Sequence, residues 1–465
     1  MKSRSLRLAL ISALMAGTQC LPLETAFADD WPQFLGPNRN STSAEKGISR
    51  KWPESGPEVL WKAPVGRGFG GPAIHDGRVY LLDRDDKVGE TLRCMSLEDG
   101  KELWTYAYDA PGAVMFPGSR SVPTIDGEHV FICGHNGDLH CINVKSQKPV
   151  WKANIWADFG GQPPSDGGGL GRGPADPGSF PIWAVTQNPL VYGDLLIVAS
   201  QAPEAGVVAY DKATGKVNWK TPSLGYVGYV SPSIAKIAGE DHIVMVSPST
   251  NPFRRGNSEE SKLGKVVGID PTSGKILWEY DKWNCHISVA SAVDAGENRL
   301  LIVGGYELGA TMLQVEKTSS GFAVKELFTT EEFGDQTKPP IFHDGHFYAQ
   351  YGTNNRRDGL VCMNMKGEIQ WKTRRAPNFN KGSMILVDGV ILATDGEKSL
   401  YVIEPSPQEF KAMQSAELLG EGGGDNSGIA GRIGGPTQNW APLALSNGKL
   451  LIRDQVELKC VKVGQ

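Results

Sequence analysis

Gly268–Tyr280 reads GIDPTSGKILWEY, and its parts recur along the chain. Ala209–Lys220 reads AYDKATGKVNWK, and Cys94–Tyr106 reads CMSLEDGKELWTY. In each copy a short apolar run ends at a small or acidic polar residue. A Gly-Lys pair then punctuates the chain, and a Trp follows in the next run. Each copy also has a preamble, such as PAIHDGRVYLL (Pro72–Leu82), PTIDGEHVFIC (Pro123–Cys133), PLVYGDLLIVA (Pro189–Ala199) and PIFHDGHFYAQ (Pro340–Gln350). Asp-Gly and similar turns between apolar runs are hairpin signals, because these residues accept positive φ cheaply. Val, Ile, Leu and Tyr dominate the runs, as strands require. One unit therefore reads as a four-stranded antiparallel meander, A to D.

A self-similar period of this length marks a repeat architecture. Fourth strands fall at Trp61, Trp104, Trp151, Trp219, Trp278, Phe328, Trp371 and Leu418; first strands start near Gly71, Val122, Asn188, Ser231, Val289, Pro339, Ser383 and Trp440. Both counts give eight, but out of phase. The chain opens with a lone fourth strand (Pro57–Val65) and closes with three strands (Ala441–Val463) that lack one. An open solenoid would end in polar caps, whereas a ring lets the first strand complete the last sheet. The sequence thus predicts an all-β, eight-bladed propeller over 57–465, preceded by an extended strap over 29–56. One segment, Gln408–Leu419 (QEFKAMQSAELL), reads as partly helical before the fourth strand of blade seven.

Residues 1–28 carry a basic start (Lys2, Arg4, Arg7), a short apolar run and an Ala26-Phe27-Ala28 cleavage pattern, which is a secretory signal. The run is too short to span a bilayer. Cys20 would suggest a lipid anchor, but Gln19 stands where a small residue precedes a lipidated cysteine. The expected location is the periplasm, cell envelope or exterior. The formal net charge is −5 and no basic run follows the signal, so a nucleic-acid partner is not expected. Nor is a transmembrane segment, and the protein is expected to be a monomer.

The third strand resembles the L-x-A-x-D, and the fourth the T-G-x-x-x-W, of the pyrroloquinoline-quinone (PQQ) repeat superfamily of propellers. Asp29–Ser41 (DDWPQFLGPNRNS) also resembles the start of secreted PQQ-like propellers of planctomycete-type bacteria. The resemblance implies the fold but spans unlike functions, from quinoprotein dehydrogenases to non-enzymatic scaffolds such as the outer-membrane assembly propeller. It gives the repeated Trp a role between neighbouring blades, and the Asp a role capping the turn between strands C and D.

Chemical motifs are sparse. Cys94, Cys141, Cys362 and Cys460 all occupy the small position of the third strand, where blades three and four carry Ala209 and Gly268. They read as packing residues. A Cys133–Cys141 disulfide is the alternative for one pair. Quinoprotein alcohol dehydrogenases of the superfamily usually carry adjacent cysteines; this chain has no Cys-Cys pair and no C-x-x-C-H for haem attachment. No metal site is expected, since His343 and His346 sit in a hairpin turn and Asp83–Asp86 reads as a solvated loop.

Position carries more. In a propeller the linker from outer strand D to the next inner strand A ends at the central channel. Those ends supply Arg67, Arg120, Gln187, Asn188, Tyr229, His286, Lys338, Lys381, Asn439 and Trp440 as candidate ligand-binding residues. Such cations on an acidic protein favour an anionic or polyhydroxylated ligand. Long Gly-rich linkers (Trp156–Trp183 and Gly420–Gln438) and the loop Ser247–Lys265 are expected over the same face. The leading reading is an exported, non-catalytic propeller that binds a glycan, another ligand or an envelope protein there. The dehydrogenase reading would put PQQ with calcium at this face, its carboxylates on Arg67, Arg120, Lys338 or Lys381, its ring on Trp440, and Asp335 as base. A structural envelope scaffold is the third reading.

Overall fold

The computed structural model describes residues 30–112, 116–162, 179–250, 262–352, 357–420 and 437–464. The signal sequence, Cys20 and most of each long linker and loop lie outside the described residues.

Eight antiparallel sheets follow one another along the chain, each ordered A-B-C-D. The first blade strand, Val59–Pro64, pairs with the last described strand, Glu457–Lys462, and so supplies strand D of blade eight. Inner strands touch their neighbours, and Ala73–His75 of blade one meets Ala444–Ser446 of blade eight, which closes the ring. Apolar clusters fill the wedges between blades; one joins blades seven, eight and one through Leu392, Val402, Leu451, Val461 and Leu81.

The repeated phrase is the adhesive of those wedges. Six strand-D tryptophans pair with the small position of strand C: Trp61 with Cys460, Trp104 with Cys94, Trp151 with Cys141, Trp219 with Ala209, Trp278 with Gly268 and Trp371 with Cys362, while in blade five Phe328 pairs with the larger Met312. A register shift follows at the same place in every blade, so one residue is bulged beside the aromatic. The indole then reaches the C–D turn of the next blade. Trp61 Nε1 donates to Leu97 O (2.9 Å), Trp151 to Lys212 O (3.0 Å), Trp219 to Pro271 O (3.1 Å) and Trp371 to Ser406 O (2.8 Å). The turn's glycine makes room. Gly274 has φ +73°, and a Cβ on it would lie 2.5 Å from the Trp219 ring. Asp270 Oδ1 caps the same turn, accepting from the Thr272 and Ser273 amides at 2.9 and 2.8 Å.

Two sequence expectations change. Lys411–Glu417 is a strand laddered onto Ser399–Glu404, not part of a helix. The edge of a sheet two-thirds built overrides the helix propensity of Ala, Met, Gln and Glu. Gln414, opposite Val402 at the bulge, therefore takes the tryptophan's place in blade seven, and Leu418 lies beyond the strand. Cys133 and Cys141 are both free and buried, because Cys141 faces Phe131 across the ladder and Cys133 faces Leu139.

Residues 30–50 run across the face that carries the A–B turns and bind the inner strands of six blades. Trp31 O and Pro32 O accept from the Ile74 and Ile125 amides at 2.8 Å. Arg39 donates to Asn188 O, Pro189 O and Pro232 O, at 3.2, 2.9 and 3.2 Å. Thr42–Ser43 pairs in parallel with Leu386 and Val387, and Glu45 accepts from the Asn447 and Gly448 amides. A tight turn at Leu35 and Gly36, with φ of 63° and 81°, folds the apex back on the Trp31 ring. This segment plugs one end of the central channel.

Candidate functional site

At the other end, the D–A linkers converge on a cavity of about 190 Å³. That is several times the room one water needs. Six of the ten candidate residues line it: Arg120, Asn188, Tyr229, Lys338, Lys381 and Trp440. Phe34 of the plug is shared with it, so the plug forms part of its wall. The remaining wall is mostly aromatic, from Phe69, Phe116, Trp183 and Tyr306.

Three cations share this aromatic setting. The Arg120 guanidinium lies 5.1 Å from the centre of the Phe69 ring and donates from Nε to Trp183 O at 3.2 Å. Lys338 Nζ donates to Trp440 O at 2.6 Å and to Thr337 Oγ1 at 3.4 Å. Lys381 holds its ammonium 4.1 Å from the centre of the Trp440 ring, on a backbone with φ of 62°. Burial pulls Arg120 down to about 10, and Lys338 and Lys381 down to about 8; the Lys338 charge lowers Lys381 further. The lysines are therefore titratable near neutrality rather than permanent cations.

Asp335 is not on the cavity wall. It lies behind Lys338, fully buried, with Oδ1 accepting from the Thr337 and Lys338 amides (2.9 and 3.0 Å) and Oδ2 from the Gln350 amide (3.2 Å). Burial raises its pKa to about 6 against those bonds. Its oxygens are used in shaping the linker turn. Trp440, the ring expected to stack on a ligand, already stacks on Phe69 with centroids 5.2 Å apart, besides lying under Lys381.

The other candidates are built into the frame. Gln187 Oε1 accepts from the Ala199 amide, and Asn439 Nδ2 donates to Gly420 O at 3.1 Å. Both are buried. His286 packs on Tyr306, 5.5 Å between ring centres. The Arg67 carbonyl accepts from the Ser119 amide. Asn188, although on the cavity wall, also ties blades together: its Oδ1 accepts from the Val122 amide and its Nδ2 donates to Ser231 Oγ. Sequence reasoning missed Phe34, Phe69, Phe116, Trp183, Thr186, Thr337 and Tyr306. Five of these, Phe69, Phe116, Trp183, Thr186 and Thr337, stand in the same linkers that yielded the polar candidates, and scoring every linker residue, aromatics included, would have found them. Phe34 carries no repeat signal.

The chain matches the family profile described as outer membrane protein assembly factor BamB over residues 51–165 and 88–321, together more than half its length. It belongs to the PQQ-repeat propeller family. Within that family it is 23% identical over 261 residues to the quinohemoprotein alcohol dehydrogenase ADH IIB of Pseudomonas putida, covering 46% of this chain and 34% of that protein. It is 27% identical over 134 residues to outer membrane protein assembly factor BamB of Burkholderia pseudomallei (strain K96243), covering 26% of this chain and 33% of that protein. The chain thus spans about a third of the length of these curated relatives. Among solved structures, a europium-containing methanol dehydrogenase superposes with a TM-score of 0.60 at 12% identity, over 91% of this chain and 89% of that one. The quinohemoprotein alcohol dehydrogenase of Comamonas testosteroni gives 0.57 at 12%, over 94% and 81%. At such identities the likeness to these PQQ-repeat propellers shows the fold alone. Among the described residues no helix is long and apolar enough to cross a membrane.

Proposed function

We propose that the protein is an exported, non-catalytic PQQ-repeat propeller that binds a small carboxylate-bearing molecule with a flat ring at the channel mouth. Arg120, Lys338 and Lys381 meet there within an aromatic wall, and Asp335, the carboxylate beside Lys338, is turned away into backbone bonds. This observation carries the reading. Cations desolvated among rings reward an anion strongly, and the rings reward a flat or sugar-like face. A uronic-acid sugar is the glycan that fits. The signal sequence supports export.

The fold's quinone cofactor deserves the same test of fit. The cations and rings suit carboxylates on a planar group, with Arg120, Lys338 and Lys381 holding them. The companion divalent cation does not fit. Asp335 is saturated by backbone amides, the Lys338 ammonium stands beside it, and no cluster of three or more His, Cys, Asp or Glu side chains that could hold a metal occurs among the described residues. The dehydrogenase reading is accordingly second. The scaffold reading draws on the BamB match and would make the cavity irrelevant to partner binding.

Calorimetric titration separates the three, using terephthalate, digalacturonate, and PQQ with or without calcium. A one-to-one carboxylate complex is expected, weakened at least tenfold in Arg120→Ala and in Lys381→Met, and absent with p-xylene. Calcium is expected to add nothing, and dye reduction with alcohols or sugars to give no turnover. Calcium-dependent PQQ binding with turnover would replace this reading by the dehydrogenase. Failure of every carboxylate to bind would leave the scaffold, to be followed by pull-down of envelope proteins.

A further inference from the structure

We infer that Lys381 is a nucleophilic amine that captures an aldehyde or ketone bound in the channel mouth as an imine. The inference rests on the reading of that cavity as a ligand site. Lys381 is 6% exposed, lines the cavity, and its ammonium makes no hydrogen bond among the described residues. It lies over the ring of Trp440, whose backbone carbonyl is held by Lys338. Two lysines thus converge on one tryptophan, but they are not equivalent. Lys338 is anchored by oxygen acceptors that favour its ammonium form, whereas Lys381 rests on a π face.

Among the described residues, the groups around Lys381 supply no counter-charge. Arg120, Lys338, Tyr229 and Tyr306 share the cavity wall. Asp335 stands behind Lys338 with both oxygens bonded to amides. Asp395, whose carbonyl holds the Asn380 amide, spends Oδ1 on the Glu397 and Ser399 amides. An amine desolvated beside another cation loses its proton easily, and the free amine is the nucleophile. Burial first, then Lys338, brings the group to about 8. The left-handed backbone at Lys381, unusual for a side-chain-bearing residue, is local strain of the kind found where a side chain must be aimed.

The step balances without any oxidant. The neutral Nζ lone pair attacks the carbonyl carbon, and the C=O π electrons move to oxygen, which takes a proton from the Lys338 ammonium. The Lys338 amine so formed takes a proton back from the added nitrogen, which leaves a neutral carbinolamine. The nitrogen lone pair then expels the hydroxyl, which Lys338 protonates to water, and the remaining N–H proton returns to Lys338, so amine plus carbonyl gives imine plus water. The rings around the site suit an aromatic or conjugated carbonyl compound, and Arg120 suits one that also bears a carboxylate.

The test uses the wild-type protein, 4-formylbenzoate and cyanoborohydride, with peptide mass mapping from pH 6 to 10. Lys381 should be labelled first, one adduct per chain, with a rate midpoint near pH 8. Exposed Lys101, whose hydrogen bond to Asp99 raises its pKa, should be labelled only at a higher pH than Lys381. Lys338→Met should raise the Lys381 midpoint and Lys338→Arg should not. Terephthalate should block the label, and Lys381→Arg should lose it. Terephthalate binding without preferential Lys381 labelling, or labelling on Lys338 instead, would overturn the inference. Labelling of Lys381 without terephthalate binding would sustain it and count against the carboxylate reading.

Discussion

At the scale of single residues, the small position of strand C shows how one slot tolerates Cys, Ala or Gly. It sits under an indole, so what matters is volume and not thiol chemistry. Blade four is the exception that tests this. Its slot is Gly268, and a Cβ there would fall 2.0 Å from the Trp278 ring, which is tied to His242 Nδ1 at 2.9 Å instead of to the next blade's turn. Gly268→Ala should therefore destabilise the protein by about 1–3 kcal/mol in denaturant unfolding. Cys362→Ala, which reproduces the residue native to blade three, should cost about 1 kcal/mol or less. The cavity lysines give a second prediction. Their folded pKa of about 8 lies below the ordinary 10.5, so the unfolded chain binds more protons between those values. Stability should rise as pH increases from about 8 to 10.5, and less so in Lys381→Met. Asp335 acts in the opposite direction at lower pH. Its folded pKa of about 6 exceeds the ordinary 3.8, so stability falls as pH rises through that interval. Carboxylate affinity should weaken above about pH 8 as both ammonium groups discharge, which calorimetry across pH would show.

At the scale of elements, strands and their order were legible because the period-two runs, the Asp-Gly turns and the repeated Trp agree with one another. Gln408–Leu419 was misread because local propensity was weighed without the open edge of Ser399–Glu404 beside it. The plug shows the opposite limit. Residues 30–50 belong to no repeat, so their sequence could suggest an extended strap but not which blades it would touch. Arg39 is the part that commits it. Its guanidinium serves three carbonyls from blades three and four, and burial lowers it to about 9. Charged hydrogen bonds contribute more than neutral ones, so Arg39→Ala should cost about 2–4 kcal/mol, measured by chemical denaturation. Cleavage by protease within residues 30–50 should speed up in the same variant.

At the scale of the whole molecule, the phase shift between first and last strands was enough to predict closure, because a ring leaves no unpaired edge. The site was legible only in part. Linker ends gave the polar groups, since chain topology alone brings them to the channel. Which of them face the cavity, and which are spent on framing carbonyls as Asn439 and Gln187 are, depends on side-chain packing that no periodicity encodes. Closure also makes a prediction. Deleting residues 30–64 would leave Glu457–Lys462 as a bare edge, and light scattering should then show self-association absent from the intact chain.

The pairing of Val59–Pro64 with Glu457–Lys462 has a temporal meaning as well. Val59–Pro64 is made before every other blade strand and must wait for Glu457–Lys462. Until that partner emerges the nascent chain carries an unmatched ribbon, and until blades three and four form Arg39 has no carbonyls to hold. A chain exported as it is made would cross with that ribbon exposed. Guarding it until the final hairpin arrives is a task for whatever machinery receives the chain.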